Sequence, residues 1–250
     1  MNDYQKIQQA DRGEMVTLFR KIDELPDPVE YFAKLTNYGR KNNCILLESA
    51  DIVSKYGERS MGAINPCLKV IGRGEDFVIR ALNNTGQYFL NEMGDELDFC
   101  DDIMRNGNTI KGVLIPEKDN MNEAARLKSR NHFEILRKIN FKFTPATDEY
   151  AKYGGLFGAI SYDMIDQFEN LPSNDKDIIG DPDYELYYVD NLFIMDHKKG
   201  EMLILAHALI TEQERDQIYI DCIKKINEYE EKIAAPAPTI KIPEQTPQDM

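Results

Sequence analysis

The chain has 250 residues, 42% of them hydrophobic and 30% charged, with 44 acidic against 30 basic side chains and a net charge of −14. That is enough apolar material for one large core or two small ones, and no run of about 18 apolar residues occurs that would span a bilayer. A field this negative repels phosphate backbones and anionic lipid, so neither nucleic acid nor membrane is expected as a partner. Capture of a small anion needs local basic side chains that override the field. The N-terminus, Met1 to Lys6, is polar and lacks the apolar core of a signal peptide, which makes the cytoplasm the expected compartment. Cys44, Cys67, Cys100 and Cys222 are scattered without a CxxC pair, so they read as small hydrophobes rather than disulfide or zinc ligands.

The stretch up to about Lys41 reads as helical. Val16, Leu18, Phe19 and Ile22 form a first apolar stripe. Asp27-Pro28 then opens a second helix as N-cap and first helical residue, with Tyr31, Phe32, Leu35 and Tyr38 on its buried face. Cys44 to Leu47 is continuously apolar and predicts a short buried strand. Leu68 to Ile71 and Phe77 to Leu82 flank a hairpin connection at Gly72 to Asp76. Residues 92–112 carry no clear period. Asn122 to Ile139 has helical spacing through Ala125, Leu127, Phe133, Leu136 and Ile139.

Leu156 to Tyr162 predicts a strand following Gly154-Gly155, and Met164 to Leu171 a short helix stopped by Pro172. Tyr184 to Met195 and Met202 to Leu209 are strand-rich, joined by the turn Asp196 to Gly200. Thr211-Glu212-Gln213-Glu214 fits a capping box before a helix that places Ile218, Cys222, Ile223, Ile226, Tyr229 and Ile233 on one face. Residues 234–250 hold four of the eleven prolines and read as a semi-extended linker. Hairpins with helices grouped between them predict an α+β fold, antiparallel-rich β-sheets packed with helices.

Nucleophile elbows, HExxH, P-loops and GxGxxG are absent, and His132, His197 and His207 lack ligand spacing. Two spots remain. Glu48-Ser49 ends the apolar strand, where a carboxylate and a hydroxyl are suited to a small ligand, and Arg59 could return a guanidinium to the same place. An amino acid ligand needs acceptors for its ammonium and donors for its carboxylate, and these three residues supply both. The plainer alternative is an ion pair and a cap. The second spot, Gly154 to Asp163, is explained as well by tight sheet packing as by a ligand.

Leu46-Leu47-Glu48-Ser49-Ala50-Asp51, Gly154-Gly155-Leu156-Phe157-Gly158 through Tyr162-Asp163, Phe168 to Pro172, and Pro182-Asp183-Tyr184 with Asp190 to His197 follow one another in a single order. In that order they resemble anthranilate synthase component I, a member of the chorismate-utilising enzymes, over about residues 14–245. The resemblance implies an enzyme that converts chorismate to anthranilate and pyruvate with ammonia from a glutamine amidotransferase subunit, component II. It implies residues 1–233 as the N-terminal regulatory domain and 234–250 as a linker to a chorismate-binding catalytic half outside these 250 residues. Mg2+ is expected in that half and no cofactor or catalytic residue in this chain. It further implies L-tryptophan as an allosteric ligand, with Ser49 as the tryptophan-binding serine, Glu48 beside it and Arg59 as the basic residue lining the pocket. The family's other tryptophan contacts, in an Asn-Pro-x-Pro-Tyr-Met segment, have no counterpart here; Asn65-Pro66-Cys67 is not that segment. Two alternatives accompany this reading. One is the corresponding half of aminodeoxychorismate synthase component I, from folate synthesis. The other is a non-catalytic subunit-interaction module.

Overall fold

The computed structural model describes residues 1–48, 58–117, 129–146, 150–169, 171 and 179–236. Two six-stranded, mostly antiparallel sheets carry the fold, with helices packed on them, which is the expected α+β class.

The first departure from the sequence reading comes early. A short helix α1 (Asp3–Gln9) is followed by a strand β1 (Glu14–Ile22), where helix was expected. Met15 through Leu18 are all buried because β1 lies inside its sheet and is covered on both faces. Such a strand is apolar at successive positions, and periodicity alone cannot tell it from a buried helix. Helix α2 (Pro28–Leu35) forms as expected, with the Asp27 carboxylate accepting from Glu30 N–H at 2.8 Å and Tyr31 and Leu35 buried. Tyr38 lies beyond its end, in the left-handed region at φ 56°.

Strand β2 (Cys44–Leu47) exists, but at the edge of its sheet rather than buried inside it: its residues are half-buried and Leu47 is 41% exposed. Next come β3 (Arg59–Ile64), β4 (Leu68–Arg73) and β5 (Asp76–Ala81), the last two forming the expected hairpin. After α3 (Asn84–Glu92), a second hairpin of β6 (Asp102–Asn106) and β7 (Thr109–Val113) occupies the region that carried no period. Helix α4 (His132–Asn140) forms the second part of the stretch read as helical, capped by the Asn131 side chain on Phe133 N–H. Residues 118–128 lie outside the described residues.

The short strand β8 (Thr144–Pro145) leads to β9 (Gly155–Ile160), and the short helix expected from Met164 is a 3-10 helix over Tyr162–Gln167. Finally β10 (Tyr184–Val189), β11 (Asn191–Asp196) and β12 (Glu201–Leu209) precede the long helix α5 (Arg215–Ile233). The capping box is not formed. Glu214 occupies the cap position without a side-chain bond, because Thr211 Oγ1 accepts from Gln213 N–H instead, and Arg215 takes Thr211 and Ala10 carbonyls. The buried face of α5 is the predicted one, Ile218, Cys222, Ile226 and Tyr229. Of the tail, residues 237–250 lie outside the described residues.

One sheet has the order β2-β3-β11-β12-β1-β8 and the other β6-β7-β5-β4-β10-β9. The chain passes between them at Asp190, which separates β10 in one sheet from β11 in the other. There the Asp190 carboxylate receives Lys225 Nζ of α5 at 2.5 Å and Asn191 Nδ2 at 3.0 Å, while its carbonyl accepts from His207 N–H at 2.8 Å. Helices α1, α2 and α5 cover one face of the first sheet over Val16, Leu18, Phe193, Met195 and Ile204. Its other face, with Ala63, Ile194 and Leu205, meets Phe157 and Tyr187 of the second sheet.

Strands β4 and β5 have neighbours on both sides. Among the described strands, the edges fall at β2, β8, β6 and β9 instead.

Candidate functional site

Antiparallel pairing of β2 with β3 matches Leu47 to Met61, so Glu48 and Arg59 lie at the same end of one edge pair. Arg59 shares a face of β3 with Met61 and Ala63, which look toward the second sheet. Ser60, on the opposite face, meets His197 Nε2 at 2.8 Å. Glu48 is exposed at the end of β2, and Ser49 lies outside the described residues. The structure thus brings two of the three predicted ligand residues to one end of the sheet.

Around Arg59 opens a cleft of about 330 Å³, walled by Tyr150, Tyr153, Asp196, Lys199 and Glu201, with Lys152 at its edge and Ile194 and Leu203 behind. That volume is at the lower end of small-molecule pockets, roughly 300–1,000 Å³. The Arg59 guanidinium donates to Tyr153 OH at 3.1 Å and approaches Asp196 Oδ2 at 3.5 Å. Burial alone would raise the Asp196 carboxyl, but the Lys199 N–H and the Arg59 guanidinium outweigh it and hold the group below the usual carboxylate range. The tyrosines are fixed by the backbone. Tyr150 adopts φ 59° immediately before a 3-10 turn at Ala151–Tyr153, which sets its ring edge-on to Phe19 at 4.9 Å and nearly parallel to Tyr153. Lys152 Nζ stands 5.2 Å from the Tyr153 ring centroid.

Chemically, the cleft offers three cations and two carboxylates beside two aromatic rings and an aliphatic floor. That combination suits a zwitterion with a flat apolar side chain: guanidinium and ammonium groups for its carboxylate, Asp196 or Glu201 for its ammonium. It also supplies the local positive excess that the whole-chain charge denies. Sequence reasoning found Arg59 and missed the tyrosines and Asp196, whose turn with Lys199 read only as a hairpin. Nothing in the local pattern links residues 150–153 to Arg59; only the fold does.

The glycine strand is explained by packing. A Cβ on Gly158, at φ 153°, would stand 2.2 Å from the Glu185 carbonyl oxygen, and one on Gly155 would meet the Asn140 side chain at 2.6 Å. Among the described residues no group of three or more His, Cys, Asp or Glu side chains could hold a metal ion. Nor is any described helix long and apolar enough to cross a membrane.

No family model matches the chain. Among curated proteins it is similar to anthranilate synthase component 1 of Escherichia coli (strain K12), 27% identical over 219 residues, which is 87% of this chain and 41% of that protein. The Vibrio cholerae protein of the same name is 31% identical over 184 residues, 70% of this chain and 34% of the relative. The chain therefore spans about two fifths or less of the length of these relatives. Among solved structures, anthranilate synthase component I from Streptococcus pneumoniae aligns with a TM-score of 0.44 at 12% identity, over 86% of this chain and 52% of that one.

Proposed function

We propose that this chain, a homologue of anthranilate synthase component 1, is the regulatory part of such an enzyme and binds L-tryptophan in the Arg59 cleft. In this reading residues 1–233 form the sensing domain and 234–250 a linker to a chorismate-binding half. That half carries the Mg2+ and the catalytic groups, and a glutamine amidotransferase subunit supplies ammonia. The observation that carries the reading is the composition of the cleft: Arg59 beside Asp196, Tyr150 and Tyr153, at the end of the strand pair that leads to Glu48 and Ser49. Arg59 receives the tryptophan carboxylate, Asp196 or Glu201 accepts from its ammonium, and the tyrosines flank its indole. Bound tryptophan favours a state with poorer chorismate affinity, and the coupling is reciprocal.

The chain itself contains no tryptophan, so the ligand's indole fluorescence reports its own binding without interference. Titration should show saturable binding, lost by roughly tenfold or more in Arg59→Ala, as expected for a removed charge-assisted contact. Ser49→Ala should weaken binding without changing the unfolding midpoint. Absence of tryptophan binding, both alone and with the catalytic half present, sinks the proposal. Tryptophan that survives exhaustive dialysis points instead to the structural ligand of an aminodeoxychorismate synthase.

A further inference from the structure

The tyrosines that wall the Arg59 cleft stand on one tight turn, residues 150–154. Tyr153 N–H donates to the Tyr150 carbonyl and Gly154 N–H to that of Ala151, both at 3.1 Å. These bonds fix the internal shape of the turn but not its height above the sheet beneath it. Before the turn, the Tyr150 ring meets Phe19 of β1. After it, Leu156 N–H donates to Asn140 Oδ1 at 2.9 Å and holds the start of β9. Between these anchors the turn comes down on one side chain, His207 of β12.

Gly154 marks the contact. Its φ of −85° and ψ of 154° are open to any residue, so backbone conformation does not call for glycine here. Space does. A Cβ at this position would lie 3.0 Å from His207 Cδ2, 3.1 Å from Nε2 and 3.3 Å from Cγ. Carbon atoms rest against one another at about 3.5–4.0 Å, so only the bare backbone fits at this height.

His207 is itself held from two sides. Its backbone N–H donates to the Asp190 carbonyl at 2.8 Å, and its Nδ1 lies 3.0 Å from Oγ1 of Thr17, the residue opposite it on β1. The side chain is 1% exposed, and its Nε2 has no hydrogen-bond partner. Its neighbours on the same face of β12, Leu205 and Leu209, are aliphatic. A third aliphatic residue would fill the place without leaving a buried polar atom unpaired. What the imidazole provides instead is a flat ring whose plane is locked by the Thr17 bond.

We propose that His207 is a positioning residue for the Arg59 cleft: with Gly154 seated on its ring, it sets the height of the 150–154 turn and so the placing of Tyr150 and Tyr153 against the Arg59 guanidinium. His207 does not line the cleft; it acts one layer below it. Tyr153 adjoins Gly154 and accepts from Arg59 at 3.1 Å, so a shift at the seat passes directly to the wall. Binding groups must be held to within about 0.5 Å to act together. The inference rests on the reading of this cleft as the tryptophan site, but the claim about the turn has a readout of its own.

The test compares the full chain with Gly154→Ala, His207→Ala and the double variant. Tryptophan affinity is read by fluorescence titration, stability by urea unfolding, and the turn by native-state exchange of the Tyr153 and residue-154 amides. Gly154→Ala should weaken tryptophan binding by roughly fivefold or more and speed exchange of those two amides, with the urea midpoint and exchange in β12 close to wild type. In the double variant the methyl group has room, and both quantities should lie closer to wild type than in Gly154→Ala. Gly154→Ala that binds and exchanges like wild type overturns the proposal. Strictly additive effects in the double variant overturn it as well, and so does a loss of stability with unchanged affinity, which is the mark of a contact that only holds the core. Gly154→Ala removes no buried volume, so its readouts decide alone where truncation of His207 destabilises the chain too far. If the wild-type chain binds no tryptophan, the function proposed above fails, and the two amides still decide whether His207 seats the turn.

Discussion

The Asp190 node provides a quantitative test of how the two sheets are held to α5. Asp190 has no exposed side-chain surface and is paired with the Lys225 ammonium, whose side chain is 18% exposed and which also donates to Thr85 Oγ1. Burial opposes the charge on Lys225, and Asp190 is the main influence that restores it and raises the lysine pKa. Asp190→Asn keeps the shape and leaves that cation without its counter-charge. Breaking one side of a buried pair costs about 3–5 kcal/mol. The partial exposure of Lys225 argues for the lower end, near 3 kcal/mol, since its ammonium can turn to water. For a chain of this size that corresponds to a fall in Tm of roughly 6–12 °C. Replacing both residues, Asp190→Asn with Lys225→Met, should recover about half of the loss, because no unpaired charge is then buried. Urea unfolding of the four proteins in the cycle measures the coupling. A single-mutant loss below about 1 kcal/mol, or strict additivity in the double mutant, would refute the claim that the pair is desolvated and mutually dependent.

Two further outcomes follow from the same core. Burial pushes the His207 imidazole down to about 4, Lys225 adding to this and the Asp190 carboxylate opposing it. In the unfolded chain it titrates near 6.5, so its contribution to stability is complete above that pH and is lost as pH falls toward 4, by up to about 3 kcal/mol. His207→Gln should flatten the acid side of a stability-versus-pH curve measured by urea unfolding, and an unchanged slope would contradict the assignment. Gly158→Ala places a methyl group 2.2 Å from the Glu185 carbonyl oxygen at φ 153°. It should destabilise by roughly 2–4 kcal/mol, with faster amide exchange in β9 and β10 than elsewhere; normal stability would mean that the strand relaxes freely.

What the sequence made legible follows from the range over which each signal acts. Asp27-Pro28, the turns at 72–76 and 196–200, and the stripe on α5 depend on neighbours within one element, and they formed as read. β1 was misread because its burial comes from β12, almost 200 residues away: Thr17 pairs with His207. The β6–β7 hairpin escaped notice because its exposed residues, Asp102, Arg105 and Asn106, mask the alternation. In the same way the motif ending in Glu48-Ser49 leads only to the strand pair that carries Arg59. Tyr150, Tyr153 and Asp196 reach Arg59 only through the sheet and its connections. The relation to anthranilate synthase component 1 was legible in the collinear motifs, whereas the cleft needed the fold.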